Sequence, residues 1–161
     1  MKSFFLFLLL ALPVICLADG AWYSRVALGP LKLGMAEAEI VASLGEPTEK
    51  SKPHLEGATG LYVSQWSWPK QGVVATFASE TETGARALDR LRLTALATFK
   101  TPEAIGIGST ADAVLAAYRK ELDPETPPTQ ESIVLGSLFG GMILTLEKGV
   151  VVEIFLGAAA E

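Results

Sequence analysis

The chain has 161 residues, half of them apolar, with 13 basic and 18 acidic side chains, one histidine and one cysteine. That length suits one domain, or two small similar units sharing a core. A formal charge of −5 opposes general nucleic-acid binding, which needs cations to displace counterions from phosphates, and a lone cysteine excludes an intrachain disulfide.

Residues 1–18 read as a signal peptide. Lys2 supplies a short basic region, Phe4–Leu12 an apolar run too short to span a bilayer comfortably, and Pro13 breaks it. Cys16-Leu17-Ala18 then places small residues three and one before a cut at Asp19. The competing reading makes Cys16 a lipidation site, but Ile15 stands where such signals want a small residue. Cleavage removes the cysteine and leaves 12 basic against 18 acidic residues, a formal charge of −6. The expected destination is the periplasm or the exterior, with stability coming from an apolar core. Nothing after residue 18 is long and apolar enough to predict a membrane span.

Two segments align without a gap: LKLGMAEAEIVASL (Leu31–Leu44) and IGIGSTADAVLAAY (Ile105–Tyr118). Each has an extended start, a glycine (Gly34, Gly108), and then an apolar stripe at helical spacing, Ile40, Val41 and Leu44 matching Val114, Leu115 and Tyr118. A nucleotide-binding loop would occur once and carry a Lys-Ser/Thr pair, and no Lys follows Gly108. Both glycines therefore read as turn residues ahead of a helix. Ser109 and Asp112 form an S-x-x-D capping arrangement for the second helix, while Met35 leaves the first without that cap. Gly45-Glu46-Pro47 ends the first helix, and the second is expected to end near Leu122.

Three predicted strands follow each helix: 61–68, 72–79 and 86–96, then 131–136, 141–147 and 149–157, rich in β-branched and aromatic residues. The intervening segments 49–60, 79–84 and 123–132 read as polar loops. The expected fold is α+β: a duplicated helix-plus-strands unit (19–96 and 97–161) forming one compact body, with two main helices on one face of a largely antiparallel sheet. Alternation along the strands puts Leu91 and Leu93 on the helix side and Arg86, Arg90 and Arg92 on the other. By the same rule Val152, Ile154 and Leu156 share one face, with Glu153 and Phe155 opposite.

Candidate chemistry is sparse. His54 stands in a polar loop without carboxylates or cysteines at ligand spacing, so no metal or cofactor is expected. A serine nucleophile for it lacks a nucleophile-elbow motif. Glu80 and Glu82 sit in a turn open to water, where nothing would separate their pKa values. No catalytic residue is assigned, and the chain reads as a non-enzyme. Tyr62, Trp66 and Trp68 make an aromatic stripe, of which Trp66 is expected in the core and Trp68, at the strand end, more exposed. Arg86, Arg90 and Arg92 are three of the five arginines of the mature chain. They form either a solvated face paired with acids across the sheet, or a docking surface for an acidic patch.

The segment LKLGMAEAEIVASLGEPT resembles the GM-x-x-x-[DE]-[IV]…LG-x-P pattern of small bacterial envelope modules, among them outer-membrane assembly lipoproteins of the BamE (SmpA/OmlA) type and the β-lactamase inhibitor protein family. The resemblance implies a tandem repeat whose open concave sheet grips another protein. The expected function is thus an exported binding module for another envelope or secreted protein. Its contact surface would comprise Arg86, Arg90, Arg92, Gln65, Thr145, Phe155 and Trp68, rimmed by 49–60 and 123–132. The alternative is a small hydrolase or small-ligand protein with a cleft between the halves.

Overall fold

A computed structural model describes residues 22–159. The signal peptide of residues 1–18, the cut after Ala18 and the lipidation alternative at Cys16 lie outside the described residues. Among the described residues the fold is mixed α and β, dominated by antiparallel sheet, with three helices. In chain order the elements are α1 (Trp22–Arg25), β1 (Ala27–Leu28), β2 (Leu31–Lys32), α2 (Glu37–Leu44), β3 (Glu49–Lys50), β4 (His54–Leu55), β5 (Tyr62–Trp68), β6 (Val73–Ser79), β7 (Ala87–Leu93), α3 (Ala111–Ala117), β8 (Ser132–Ser137), β9 (Gly140–Glu147) and β10 (Val150–Gly157). A 3-10 turn, Pro69–Gln71, joins β5 to β6.

β1 and β2 form a small hairpin, and the other strands form one sheet in the order β3-β5-β6-β7-β10-β9-β8, with β4 also paired to β5. Every pairing is antiparallel. The central contact joins β7 to β10 in the register Leu91↔Leu156, Arg92↔Phe155 and Leu93↔Ile154. One apolar cluster takes Ile40 and Leu44 from α2, Val114 from α3, and Ala75, Phe77, Leu91, Leu93, Leu144, Ile154 and Leu156 from the strands. Burying each large aliphatic or aromatic side chain there contributes roughly 1.5–3 kcal/mol.

Local chemistry explains the helix boundaries. Gly34 and Gly108 adopt φ of +85° and +86°, the left-handed conformation that glycine tolerates best. Gly34 N–H donates to Leu88 O and Leu88 N–H to Met35 O, both at 2.8 Å. Gly108 N–H donates to Val151 O at 2.8 Å and Val151 N–H to Ser109 O at 2.9 Å. The N-cap of α3 is Thr110, whose hydroxyl accepts from Ala113 N–H at 3.2 Å. Ser109, expected in that role, lies one residue early and accepts from Gly106 N–H instead. Ala36 starts α2 without a side-chain acceptor, and Glu39 reaches back to accept its N–H at 2.8 Å. Gly45 closes α2, as expected. α3 stops at Ala117, five residues short of Leu122, because Tyr118 leaves helical geometry and turns carry the chain onward.

Two departures concern the sheet. The segment 49–60 is not a free loop, since β3 and β4 pair with β5 through Glu49↔Ser67, Lys50↔Trp66 and His54↔Val63. Both central strands also contain a bulge. The register between β6 and β7 shifts between Thr76↔Arg90 and Phe77↔Leu88, leaving Asp89 over. That between β9 and β10 shifts between Val151 and Glu153, leaving Val152 over. One extra residue flips the alternation that follows, so the core positions are Leu88, Leu91 and Leu93 on β7 and Val151, Ile154 and Leu156 on β10. The expected place of Val152 on the core face passes to Val151.

Candidate functional site

The sheet face opposite the core cluster presents Gln65 from β5, Val74 and Thr76 from β6, Arg90 and Arg92 from β7, Glu153 and Phe155 from β10, and Ile143 and Thr145 from β9. Two shallow hollows lie on it. One, of about 380 Å³, is lined by Gln65, Val74, Thr76, Arg90, Arg92 and Phe155. Its neighbour, of about 390 Å³, is lined by Arg90, Arg92, Ile143, Glu153, Phe155 and Ala158 among others. The hollows meet at Arg90, Arg92 and Phe155, over the central β7–β10 pair.

Arg92 is the available cation at this meeting point. Its side chain is 50% exposed, its guanidinium carbon lies 5.8 Å from the Phe155 ring centroid, and Nη1 stands 3.5 Å from Glu153 Oε2. That separation and exposure make the Glu153 pair weak, within the range of exposed ion pairs. Arg90 is committed elsewhere. Its Nη2 donates to both carboxylate oxygens of Glu56, at 2.7 and 2.8 Å, and Nε lies 3.1 Å from Asp89 Oδ2. Glu56 belongs to a turn closed by Glu56 N–H to Leu61 O and Gly60 N–H to Glu56 O. The Arg90–Glu56 pair therefore straps the segment after β4 onto the outer face, where Val63 is buried. Burial raises the Asp89 carboxyl above the usual carboxylate range, a push that Arg90 opposes and Glu56 reinforces.

Of the expected contact residues, Arg90, Arg92, Gln65, Thr145 and Phe155 come together on the outer face. Two do not. Arg86 precedes the Asp89 bulge, so its alternation is out of step with Arg90 and Arg92. It lies by the start of α2 and donates through Nε to Glu37 Oε1 at 2.6 Å. Trp68 is 3% exposed, part of the core cluster, and its indole N–H donates to Gly45 O at 2.9 Å, fastening β5 to the end of α2. The strand end that suggested exposure is covered by that helix terminus. Trp66 is buried as expected, 4.7 Å from the Phe77 ring, with the Lys50 ammonium 4.1 Å above it.

Sequence reasoning passed over Glu56, Asp89, Ile143 and Glu153. Glu153 had been placed on the outer face without being linked to Arg92, and the Asp89 bulge was signalled by the three-residue gap between Leu88 and Leu91. His54 stands in the exposed edge strand β4, beside a hollow of about 400 Å³ lined by Glu49, Lys50, Ser51 and Gln65. Glu80 and Glu82 are exposed in their turn. Among the described residues no three His, Cys, Asp or Glu side chains are grouped to hold a metal, and no helix is long and apolar enough to cross a membrane. A half-buried polar contact away from this face joins Tyr118 to Glu103, and burial of the phenol, reinforced by the carboxylate, raises it above its usual range.

No protein-family model, curated protein or solved structure matches the chain.

Proposed function

We propose that the protein is an exported, non-enzymatic binding module that receives another envelope or secreted protein on its outer sheet face. The observation that carries this reading is the pair of open hollows meeting at Arg90, Arg92 and Phe155. A half-exposed arginine beside an aromatic ring, with Gln65, Thr76 and Thr145 around it, has the mixed polar and aromatic character of protein contact surfaces. The strapped segment 54–61 forms one bank. The hydrolase alternative needs a deep pocket with a perturbed acid facing it. Asp89, whose pKa is raised, does not line either hollow, and His54 sits on an exposed edge.

The same proposal includes a tandem repeat with α2 and α3 on one sheet face. Several correspondences support it. Gly34 and Gly108 share a backbone conformation and equivalent hydrogen bonds to Leu88 and Val151. The bridges Ala36↔Ala87 and Thr110↔Val150 occupy matching places. Both bulges fall one residue after the matched Leu88 and Val151. Matching the halves this way makes Arg92 the counterpart of Phe155, so these two, paired directly across the sheet centre, sit at the local two-fold axis. The strand registers also match Trp68 to Leu135 and Trp66 to Ile133. The connection from β5 to β6 is two residues shorter than that from β8 to β9, Trp68 facing Val73 and Leu135 facing Met142.

The test is affinity capture from an envelope fraction with the protein and with an Arg92→Ala/Phe155→Ala variant. A protein retained by the first and lost by the second is the expected result. Equal retention by both removes the outer face from consideration.

A further inference from the structure

The two hollows on the outer face differ in chemistry. Around the first, the charged lining residues are Arg90 and Arg92 and no acid joins them, in a chain of formal charge −5. Strand register explains the grouping. Gln65, Thr76 and Arg90 are direct neighbours across β5, β6 and β7, and Val74, Arg92 and Phe155 form the adjoining row across β6, β7 and β10. The Gln65 amide, the Thr76 hydroxyl and the Arg92 guanidinium thus bring hydrogen-bond donors to one place. Beyond the shared Arg90, Arg92 and Phe155, the walls of the second hollow are Ile143, Ala158, Ala159 and Glu153.

The chain itself shows what an arginine on this face accepts. Arg90 is met from within: Glu56, carried across by the strap, takes its Nη2 with both carboxylate oxygens at 2.7 and 2.8 Å. Arg92, two residues on and on the same face, is engaged less fully. Among the described residues its guanidinium meets one carboxylate, Glu153, through Nη1 at 3.5 Å. That leaves Nε and Nη2, an edge of the fork that a second carboxylate can hold by two parallel bonds.

We infer that the first hollow receives an Asp or Glu side chain of the partner protein, bound by Arg92 with Gln65 and Thr76, while an apolar side chain beside it seats on Phe155 and Ile143. The inference rests on the outer face being the contact surface. The Phe155 ring, 5.8 Å from the Arg92 guanidinium carbon, lines the same hollow. Once a partner is seated it helps to keep water from the ion pair, where the attraction between charges grows. Hollow chemistry and charge select the same occupant: an acidic residue with an apolar neighbour.

The experiment selects a displayed library of random peptides, fused at their C-termini so that only side chains offer carboxylates, on the protein and on Arg92→Gln in parallel. The expected result is enrichment of Asp or Glu beside an aromatic or large aliphatic residue on the protein and not on the variant. A selected peptide, once synthesised, should bind roughly tenfold more weakly when its acid becomes the amide, or when Arg92→Lys keeps the charge and loses the fork. Glu153→Gln removes the competing carboxylate within the chain and should tighten the same peptide. Equal enrichment on both proteins overturns the inference, as do selected peptides without acid enrichment or a peptide weakened by Glu153→Gln. The broader reading fails separately. It is lost when the selected peptides bind Arg92→Ala/Phe155→Ala undiminished, whereas peptides lost with that variant yet lacking an acid overturn the carboxylate site alone.

Discussion

Replacing Gly34 or Gly108 by alanine isolates one term of the folding energy. No atom lies within 4 Å of the Cβ that would be added at either position, so neither substitution meets a steric obstacle. What remains is the backbone, at φ of +85° and +86°. An L-residue in the left-handed region costs roughly 1–2 kcal/mol, and the reduced freedom of the unfolded chain returns about 0.4–1 kcal/mol. Each variant is expected to lose about 1 kcal/mol. Leu88 and Val151, which anchor the two glycines, each lie four residues before the Arg92↔Phe155 pair on antiparallel strands. They are thus on the order of 25 Å apart at 3.3 Å per residue. The double variant should therefore lose about 2 kcal/mol by simple addition, a fall in Tm of roughly 6–10 °C for a domain of this size. Urea denaturation of the four proteins measures it. Single losses differing by more than about 1 kcal/mol would refute the claim that these glycines occupy equivalent surroundings.

Glu56→Gln removes the charge that holds the strap on Arg90. Both side chains are mostly buried, at 20% and 16% exposed. The expected cost is about 1–2 kcal/mol, between exposed and fully buried pairs, with faster proteolysis in 52–61 as the second readout. Asp89 has a folded pKa above its unfolded value, so its contribution is fully present below the ordinary carboxylate range and is lost as pH rises through the raised value. Asp89→Asn should flatten that part of the stability–pH profile, measured by denaturation from acidic to neutral pH, and an unchanged profile would contradict the assignment. Trp68→Phe leaves Gly45 O without its indole donor and a gap beside it, for an expected loss of about 2 kcal/mol by the same denaturation assay. Arg92→Ala should leave stability within about 0.5 kcal/mol, since it breaks an exposed 3.5 Å pair and a 5.8 Å contact with the Phe155 ring.

The six long strands and both principal helices were legible because their signals are local, β-branched runs between turn residues and a helical stripe behind a glycine, whereas the two-residue strands β1 to β4 carry no such run. The outer face was legible only in part. Strict alternation carried through residues 86–92 groups three arginines, yet Leu88, Leu91 and Leu93 are spaced three and then two apart. Val151, Ile154 and Leu156 repeat that spacing, and in both strands the gap of three contains the bulge. Arg86 was misplaced for that reason alone. Trp68 could not be read from its position, because what covers it is the end of a helix more than twenty residues earlier in the chain. The Glu56–Arg90 strap spans 34 residues and joins two segments with no shared local pattern.

The order of strands in the sheet has a consequence for how the molecule is made. The last strand in chain order, β10, lies in the middle, between β7 and β9. Until it arrives, β7 presents an unpaired border of amides and carbonyls while more than fifty further residues emerge. Such borders recruit other chains, and distant pairings form slowly because loop closure precedes any reward. The interval between the two strands is thus the vulnerable period in the life of this protein, and a helper that masks β7 during it would act where help is most needed.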